Sequence, residues 1–431
     1  MSTRVRTKQK VLVSYKSWRT FHFASTKIIK PIVIFIIKVI FFRKICHSDY
    51  YFISLHAKNL NKYNIFQQNG IKNMSHFYKM AVGVLLCLFP FNYATAQEQK
   101  EENKTKEFLS DVMDRIVVHG YAQAGYTYQD RDRAGEKANS FDIKRTLFFA
   151  HAAITDRWFF LFMHDFNSQV QEYYTDYRLT NDKALTVRFG QFKNACTYEN
   201  KLSPTDMEAI DVYSEGVTYL SGCGSDPLLG VQYGRDLGAA ILGEFAEGKV
   251  KYEVDVMNGQ GINKKDGNNA KDVIGRLEVS PVEGLNLIAT GQLGKGHAIA
   301  KSVYNPEIEI GQDYKRNRYS IGFDYKSKPF NVHGEYLEGK DGNVLSRGWY
   351  ITGCVPLVPK KFDLVGSYDY FNFNKALDMD QHKAIFGFQW WYFKRCRFQV
   401  QYVYKSAYTA NGEFIKKGNN AIMCQMQVRF N

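Results

Sequence analysis

The side chains best placed to do chemistry are cations at alternating positions between apolar neighbours. Arg178 and Arg188 fall on one face of two consecutive extended segments, with Glu172 and Asp176 beside them. Lys251, Arg276, Arg318, Arg397 and Arg429 repeat the arrangement further along. A guanidinium is a rigid fork of donors with a permanent charge. Rows of them suit recognition of phosphate or carboxylate oxygens better than proton transfer. The competing reading of each is a cation paired with a cross-strand carboxylate or placed at a rim. Glu253, Asp255, Glu278 and Asp324 share the same faces. Catalytic constellations do not emerge. His164 and Asp165 are adjacent, so a strand sends them to opposite faces. Neither G-x-S-x-G nor H-E-x-x-H occurs, so hydrolase and zinc-protease readings lack their local signatures. His119, His151, His297, His333 and His382 are scattered, and Gly259-Gln260-Gly261 reads as turn chemistry. No enzyme, metal site or cofactor is expected.

The elements that must position these cations are strands. From residue 116 onward the hydrophobic period is two. Phe398, Val400, Tyr402 and Tyr404 alternate with Arg397, Gln399, Gln401 and Lys405. Tyr319, Ile321, Phe323 and Tyr325 alternate with Arg318, Ser320, Gly322, Asp324 and Lys326. Val250, Tyr252, Val254 and Val256 oppose Lys251, Glu253 and Asp255. The last segment sets Ile422, Cys424, Met426, Val428 and Phe430 against Gln425, Gln427 and Arg429. Division on this basis gives about sixteen segments of roughly ten residues, the length of a tilted membrane-crossing strand. Every second connection is short, such as Thr155-Asp156, Glu247-Gly248 and Lys394-Arg395. The others are mostly long: 129–139, 194–235, 259–270, 295–316, 339–345, 374–380 and 407–419. The short stretch Ser168–Val170 is the exception. Short periplasmic turns alternating with longer outer loops predict an antiparallel transmembrane β-barrel, since in lipid every backbone group must pair internally and the sheet must close. A soluble sandwich shares the alternation. It does not account for the loop lengths, the leader described next, or the terminal aromatic Phe430. About sixteen strands leave a water-filled lumen. The connection 194–235, the third on the outer side, either folds inward to narrow that lumen or lies over its mouth.

Charge is partitioned along the chain. The net of +14 resides entirely in residues 1–96, which hold 15 Lys/Arg and the single acid Asp49. Residues 97–431 carry 42 basic and 42 acidic residues. The basic character therefore belongs to the leader, and nucleic acid is not an expected partner. Met74 opens a basic start with Lys79, an apolar core from Met80 to Phe91, and Ala94-Thr95-Ala96, which together read as a signal peptide over 74–96. Residues 1–73 then read as an upstream extension from start-site choice. An N-terminal anchor in the broken apolar run Ile28–Phe42 is the alternative. Residues 97–115 are expected to be a periplasmic segment with a short helix, Glu107–Arg115, ahead of the barrel at 116–431. Of seven cysteines, Cys46 and Cys87 precede the cleavage point. Cys196 and Cys223 flank the third loop and are candidates for a disulfide in an oxidising periplasm. Cys354, Cys396 and Cys424 are expected to pack outward.

Phe141-Asp142-Ile143-Lys144-Arg145 and Val187-Arg188-Phe189-Gly190-Gln191-Phe192-Lys193 carry a family resemblance. The first resembles the second-strand motif of the phosphate-selective porin O and P family. The second resembles that family's G-Q-F-K segment before its constriction loop, where Glu199–Glu215 follows here. The resemblance spans about 116–431. It implies a homotrimer of sixteen-stranded channels in the outer membrane of a Gram-negative bacterium, with outer-membrane lipid and lipopolysaccharide around it. The barrel-assembly machinery would engage the C-terminal strand ending at Phe430. It implies Arg145, Arg178, Arg188 and Lys193 as pore-lining anion sites, with Arg276 and Arg318 as further candidates by alternation. The loop departs from the pattern. Glu199, Asp206, Glu208, Asp211 and Glu215 stand against Lys201 alone, so a narrow point made by this loop would be partly acidic and cation-tolerant. The expected function is passive diffusion of small hydrophilic solutes, with anions such as phosphate as its narrower form. A barrel-anchored surface adhesin or complex partner without channel activity is the alternative.

Overall fold

The computed structural model describes residues 115–130, 138–406, 408–410, 413–416 and 418–430. The expected upstream extension at 1–73, the expected signal peptide at 74–96 and nearly all of the expected periplasmic segment, with the helix expected over Glu107–Arg115, lie outside the described residues. In chain order the elements are β1 (Ile116–Gln129), β2 (Ala138–Ala153), β3 (Trp158–Asp165), β4 (Val170–Arg178), β5 (Thr186–Lys193), α1 (Tyr198–Lys201), α2 (Glu215–Ser221), β6 (Ser225–Asp226), β7 (Gly230–Val231), β8 (Arg235–Phe245), β9 (Val250–Met257), β10 (Asp272–Val282), β11 (Leu285–His297), β12 (Asp313–Lys326), β13 (Asn331–Asp341), β14 (Val344–Val358), β15 (Phe362–Asn374), β16 (Met379–Phe393), β17 (Cys396–Lys405), β18 (Tyr408–Ala410), β19 (Glu413–Lys416) and β20 (Asn419–Phe430). Sixteen of these strands form one closed antiparallel barrel. The pairs β6–β7 and β18–β19 are separate small hairpins.

Closure falls between the first and last barrel strands, where Gly120 lies opposite Phe430 and Gln129 opposite Ala421. No edge is left unpaired, which is what a sheet in hydrocarbon requires. All sixteen expected segments are present, but several hairpins run further than the hydrophobic pattern suggests. β12 begins at Asp313, and β13 and β14 reach Asp341 and Val344. The connection expected at 339–345 is therefore only Gly342-Asn343. Gly342, at φ +60°, takes the left-handed conformation that so tight a turn demands of a residue without Cβ. The extension was hidden because its inward side chains, Arg316, Gly339 and Asp341, are polar or absent and read as loop.

Alternation separates the two faces. Val254, Ile321, Trp349, Phe386, Tyr402 and Val428 are exposed on the outside, whereas Glu253, Asp255, Ser320, Gln399, Gln401 and Gln427 are buried inside. An apolar exterior around a polar interior inverts a soluble protein and matches a lipid-facing barrel. The core is accordingly not between two sheets. It lies between the inner wall and the connection from β5 to β8. Val217, Tyr219 and Leu220 of α2 pack on Leu337, Tyr350, Phe371, Phe373 and Met379. Ile210 packs on Ile385, Val403, Ala421 and Met423. Phe192, Ala195 and Cys196 pack on Ala240, Met257 and Ile274. Each fully buried side chain of this size contributes about 1.5–3 kcal/mol, so the connection is held as firmly as a core helix.

Candidate functional site

The connection 194–234 folds into the lumen and meets the inner wall around most of its circumference. The backbone N–H of Ala195 donates to Asp255 of β9 at 2.8 Å, and Arg276 of β10 donates to the Thr197 carbonyl at 2.8 Å. Tyr198 N–H donates to Glu335 of β13 at 2.9 Å. The chain then crosses the lumen. Gln123 of β1 donates to the Pro204 carbonyl at 3.3 Å, and Arg429 of β20 donates to the Thr205 hydroxyl at 3.0 Å. Arg397 of β17 donates to the Met207 carbonyl at 2.6 Å, and Gln399 and Gln401 both donate to the Glu208 carbonyl. Finally α2 docks on β13, β14 and β15. Its N-cap Ser214 accepts from Val217 N–H, and Gly222 ends it in the left-handed conformation. Gly216 sits so close to the wall that a Cβ there would lie 2.8 Å from the Phe371 ring. Two β-branched residues of the connection, Thr197 and Val212, hold φ of 64° and 73°. Such backbone costs of order 1–3 kcal/mol and persists only where the surroundings over-determine it.

Three acids of this loop, Glu199, Glu208 and Glu215, turn toward the wall. Glu199 is buried, accepts from Ser214 N–H at 2.8 Å and lies 3.5 Å from His333. Glu208 lies 4.0 Å from the same histidine. Glu215 is bracketed by Lys405 at 2.6 Å and Lys383 at 3.2 Å. Burial alone would raise its carboxyl, but the two ammoniums pull it down to about 2. Asp206, 3.7 Å from Arg429, and Asp211 remain exposed. Neither lumen cavity described below has a loop carboxylate in its wall. His333 of β13 lies against Glu199 and Glu208, and Lys383 of β16 and Lys405 of β17 lie against Glu215, pairings invisible without the register.

Every candidate cation of the wall points inward, in two groups. Arg318 is locked by Asp341 at 2.7 Å and the Leu220 carbonyl at 3.1 Å, and Arg397 is equally buried, so both are loop anchors. Arg145 donates to Gln123 at 2.9 Å. Arg188 forks onto Asp176 at 2.7 and 2.8 Å while stacking on Tyr174. Arg276 lies 3.3 Å from Glu278, Lys201 2.8 Å from Glu253, and Lys193 donates to the Leu202 carbonyl. Arg178 lies over the Phe159 ring and has no carboxylate partner among the described residues. Lys383, Lys405, Arg235 and Arg316 were not singled out from the sequence. Arg235 pairs with Glu172 at 2.8 Å and Arg316 with Asp226 at 3.2 Å. Lys383 alternates with Gln381 and Ile385, the one signal that could have found it.

Two cysteine expectations are corrected. Cys196 and Cys223 are both free and buried. Cys196 belongs to the Phe192 cluster, while Cys223 packs with α2 and its thiol donates to Asn200 at 3.2 Å. Burial pushes both thiols up. Cys354 faces inward with Tyr350 and Thr352, where Gln389 donates to its sulfur, because β14 extends in register through Val358. Cys424 lies on the outer face; Cys396 has the outer parity but is buried against the Arg429 backbone.

Open space remains on the side of β1–β5 and β8–β10. Two cavities of about 480 and 340 Å³ share His151, Leu161, Tyr174 and Lys201, so they adjoin. Their walls hold nine Lys/Arg, including Arg178, Arg188, Lys193, Lys201, Lys251 and Arg276, against five carboxylates. The loop contributes only Lys201, Ser203 and Pro204.

No family model matches the chain, and no curated protein matches it in sequence. Among solved structures it is similar to the anion-selective porin from Comamonas acidovorans, at 13% identity and TM-score 0.53 over 73% of this chain and 99% of that one. It is similar to OprB of Pseudomonas putida at 9% identity and TM-score 0.54, over 76% and 96%. It is also similar to OmpF of Salmonella typhi at 10% identity and TM-score 0.52, over 73% and 97%. At such identities the likeness is one of fold: a sixteen-stranded porin barrel.

Proposed function

We propose that this protein is an outer-membrane porin through which small hydrophilic solutes diffuse passively, with a bias toward anions. The observation that carries this reading is the excess of cations over carboxylates in the walls of the two adjoining lumen cavities. Fixed charge in a narrow, low-dielectric passage raises the local concentration of the opposite ion and sets which ions enter. Arg178 and Lys251 are the side chains on which an anion would rest in passing, while Lys201, held by Glu253, and Lys193, held by the Leu202 carbonyl, flank them. Arg188 and Arg276 supply field while remaining paired. The inward loop sets the size limit. Within this reading belong the finer features of the family resemblance: a phosphate preference, a homotrimer, export by the signal peptide at 74–96, and assembly through the strand ending at Phe430. A guanidinium wall suits phosphate.

Planar-bilayer recordings of the purified protein test the proposal, with reversal potentials in asymmetric KCl and then in phosphate. Discrete steps with chloride more permeant than potassium are expected. The double substitution R178E/K201E is expected to move the permeability ratio toward potassium several-fold. Millimolar phosphate is expected to reduce chloride current. Cation selectivity in the parent protein would refute the anion reading. A folded, heat-modifiable barrel without conductance would refute the porin and favour an anchor for a surface partner.

A further inference from the structure

Two strands break the alternation that governs most of the wall. β3 opens with Trp158-Phe159-Phe160-Leu161-Phe162-Met163, and β2 carries Leu147-Phe148-Phe149. A continuous apolar run marks a strand that avoids water on both faces. Lipid accounts for the outward side chains. Leu147, Phe149, Leu161 and Met163 share the inward parity of Gln123, which donates to the Pro204 carbonyl. Tyr121 lies opposite Leu147, His119 opposite Phe149, and Phe149 in turn opposite Met163. On β17 and β20 the inner wall is polar, with Gln399, Gln401, Gln425 and Gln427. Other apolar patches of the inner wall are covered by the inward connection: Val217 and Leu220 cover one, Ala195 and Cys196 a second, Ile210 a third. The patch of Tyr121, Leu147, Leu161 and Met163 draws all its members from the barrel, with Phe149 and Tyr174 packed against it. It borders the cavity of about 340 Å³, into which the connection sends only Lys201, Ser203 and Pro204.

We propose that this cavity binds small aromatic carboxylates, an inference that rests on the porin reading and names a solute class for it. The cavity has two unlike sides. Five cations, Arg188, Lys193, Lys201, Arg235 and Arg429, line it against one carboxylate, Glu172, which Arg235 holds at 2.8 Å. Arg188 and Lys201 are paired with Asp176 and Glu253. Lys193 has the Leu202 carbonyl as its partner, and Arg429 the Thr205 hydroxyl, with the exposed Asp206 at 3.7 Å. An ammonium has three donors and a guanidinium five, so these two keep donors for an incoming carboxylate. The other side is a platform of flat rings. His119 stacks on Phe149 at 4.8 Å and 9°, and on His151 at 4.8 Å and 16°. Tyr121 lies 5.9 Å from Phe149. A planar ring placed against such a stack meets it in the offset geometry that aromatic pairs prefer. A ring with a carboxylate at one edge satisfies both sides at once. Acetate would leave the apolar side wet, and a neutral ring would leave the cations unmatched. His151 is exposed and lines the adjoining cavity as well, which gives the solute a way through.

Planar-bilayer recordings of the purified protein at neutral pH test the site, with benzoate, acetate or benzyl alcohol added to a chloride current. Benzoate is expected to reduce the current at about a tenth of the acetate concentration, a margin within reach of one stacked and buried ring. Benzyl alcohol should leave the current unchanged. F149N/L161N should bring benzoate to the level of acetate while chloride conductance persists. K193Q should weaken benzoate and acetate alike. Where the double variant does not fold, the milder L161T should shift the benzoate dependence in the same direction. Equal block by benzoate and acetate would overturn the proposal, leaving a plain anion site. Block by benzyl alcohol as strong as that by benzoate would overturn it as well, leaving an apolar one. An undiminished benzoate preference in F149N/L161N, or in L161T where the double variant does not fold, would place the ring elsewhere and also sink it. The porin reading fails on a different result, absent conductance or cation selectivity in the parent protein before any of these solutes is added.

Discussion

At the residue scale the lumen is governed by which cations are spent on structure. Lys383 lies 3.2 Å from Glu215 and 3.8 Å from Asp369, and all three side chains are largely withdrawn from water. Removing one member of such a group leaves charge uncompensated, at about 3–5 kcal/mol. Lys383→Met is therefore expected to lower stability by about 3 kcal/mol, read as an earlier heat-modification midpoint on electrophoresis. Glu215 also sets a pH dependence. Its folded carboxyl sits at about 2, below the ordinary value of 4.5. A depressed pKa contributes stability that is present above the ordinary value and is lost as pH falls through the folded one. Thermal melting should thus be insensitive to Glu215 ionisation above pH 4.5 and should fall between pH 4.5 and 2. Glu215→Gln should flatten that segment of the profile. An unchanged profile in the variant would mean that the ion pair does not hold the loop.

At the element scale the loop and the wall are mutually dependent. α2 has only seven residues, too short to be stable alone, and it persists through its apolar side packed on β13–β15. Gly216→Val would drive a branched side chain into the Phe371 ring, 2.8 Å from the Cβ position. Overpacking of this kind costs about 1–3 kcal/mol. The expected consequence is a destabilised loop with noisier single-channel current, while the barrel remains heat-modifiable. Shortening the crossing segment 203–212 should act in the opposite sense on transport. It removes the chain that bridges β1 and β20 to β15–β17, so conductance should rise several-fold and discrimination by size should weaken. Swelling assays with neutral sugars of increasing mass measure that directly.

At the scale of the whole molecule the charge balance of residues 97–431 is not shared by the walls of the lumen cavities. Residues 97–431 hold equal numbers of acids and bases, yet the two adjoining cavities hold nine cations and five carboxylates. The compensating acids are used elsewhere: Glu199 and Glu215 under the loop, Asp226 and Asp341 against Arg316 and Arg318. Selectivity set by such a field should depend on ionic strength, since the Debye length falls from about 10 Å at 0.1 M to about 3 Å at 1 M. The chloride-to-potassium permeability ratio is therefore expected to decline toward one as salt rises. A ratio independent of salt would point to binding at single residues rather than to the summed field.

The sequence by itself determined the barrel, because a sheet closed in lipid must alternate apolar and polar residues and separate short turns from long ones. Both patterns are local and survive projection onto one dimension. They placed all sixteen strands and put Arg178, Arg188, Arg276 and Arg318 on the inner face. They also marked 194–235 as the connection able to narrow the lumen. What only the tertiary structure decided was the partner of each charge. Arg318 and Arg397 became anchors, Glu199 became buried and Glu215 was bracketed by two lysines, and Cys196 and Cys223 stayed free. Those outcomes depend on which strands the inward loop reaches. Pairs such as Glu215 with Lys405, or Met207 with Arg397, join residues about two hundred positions apart, and no period in the sequence records a contact across a lumen.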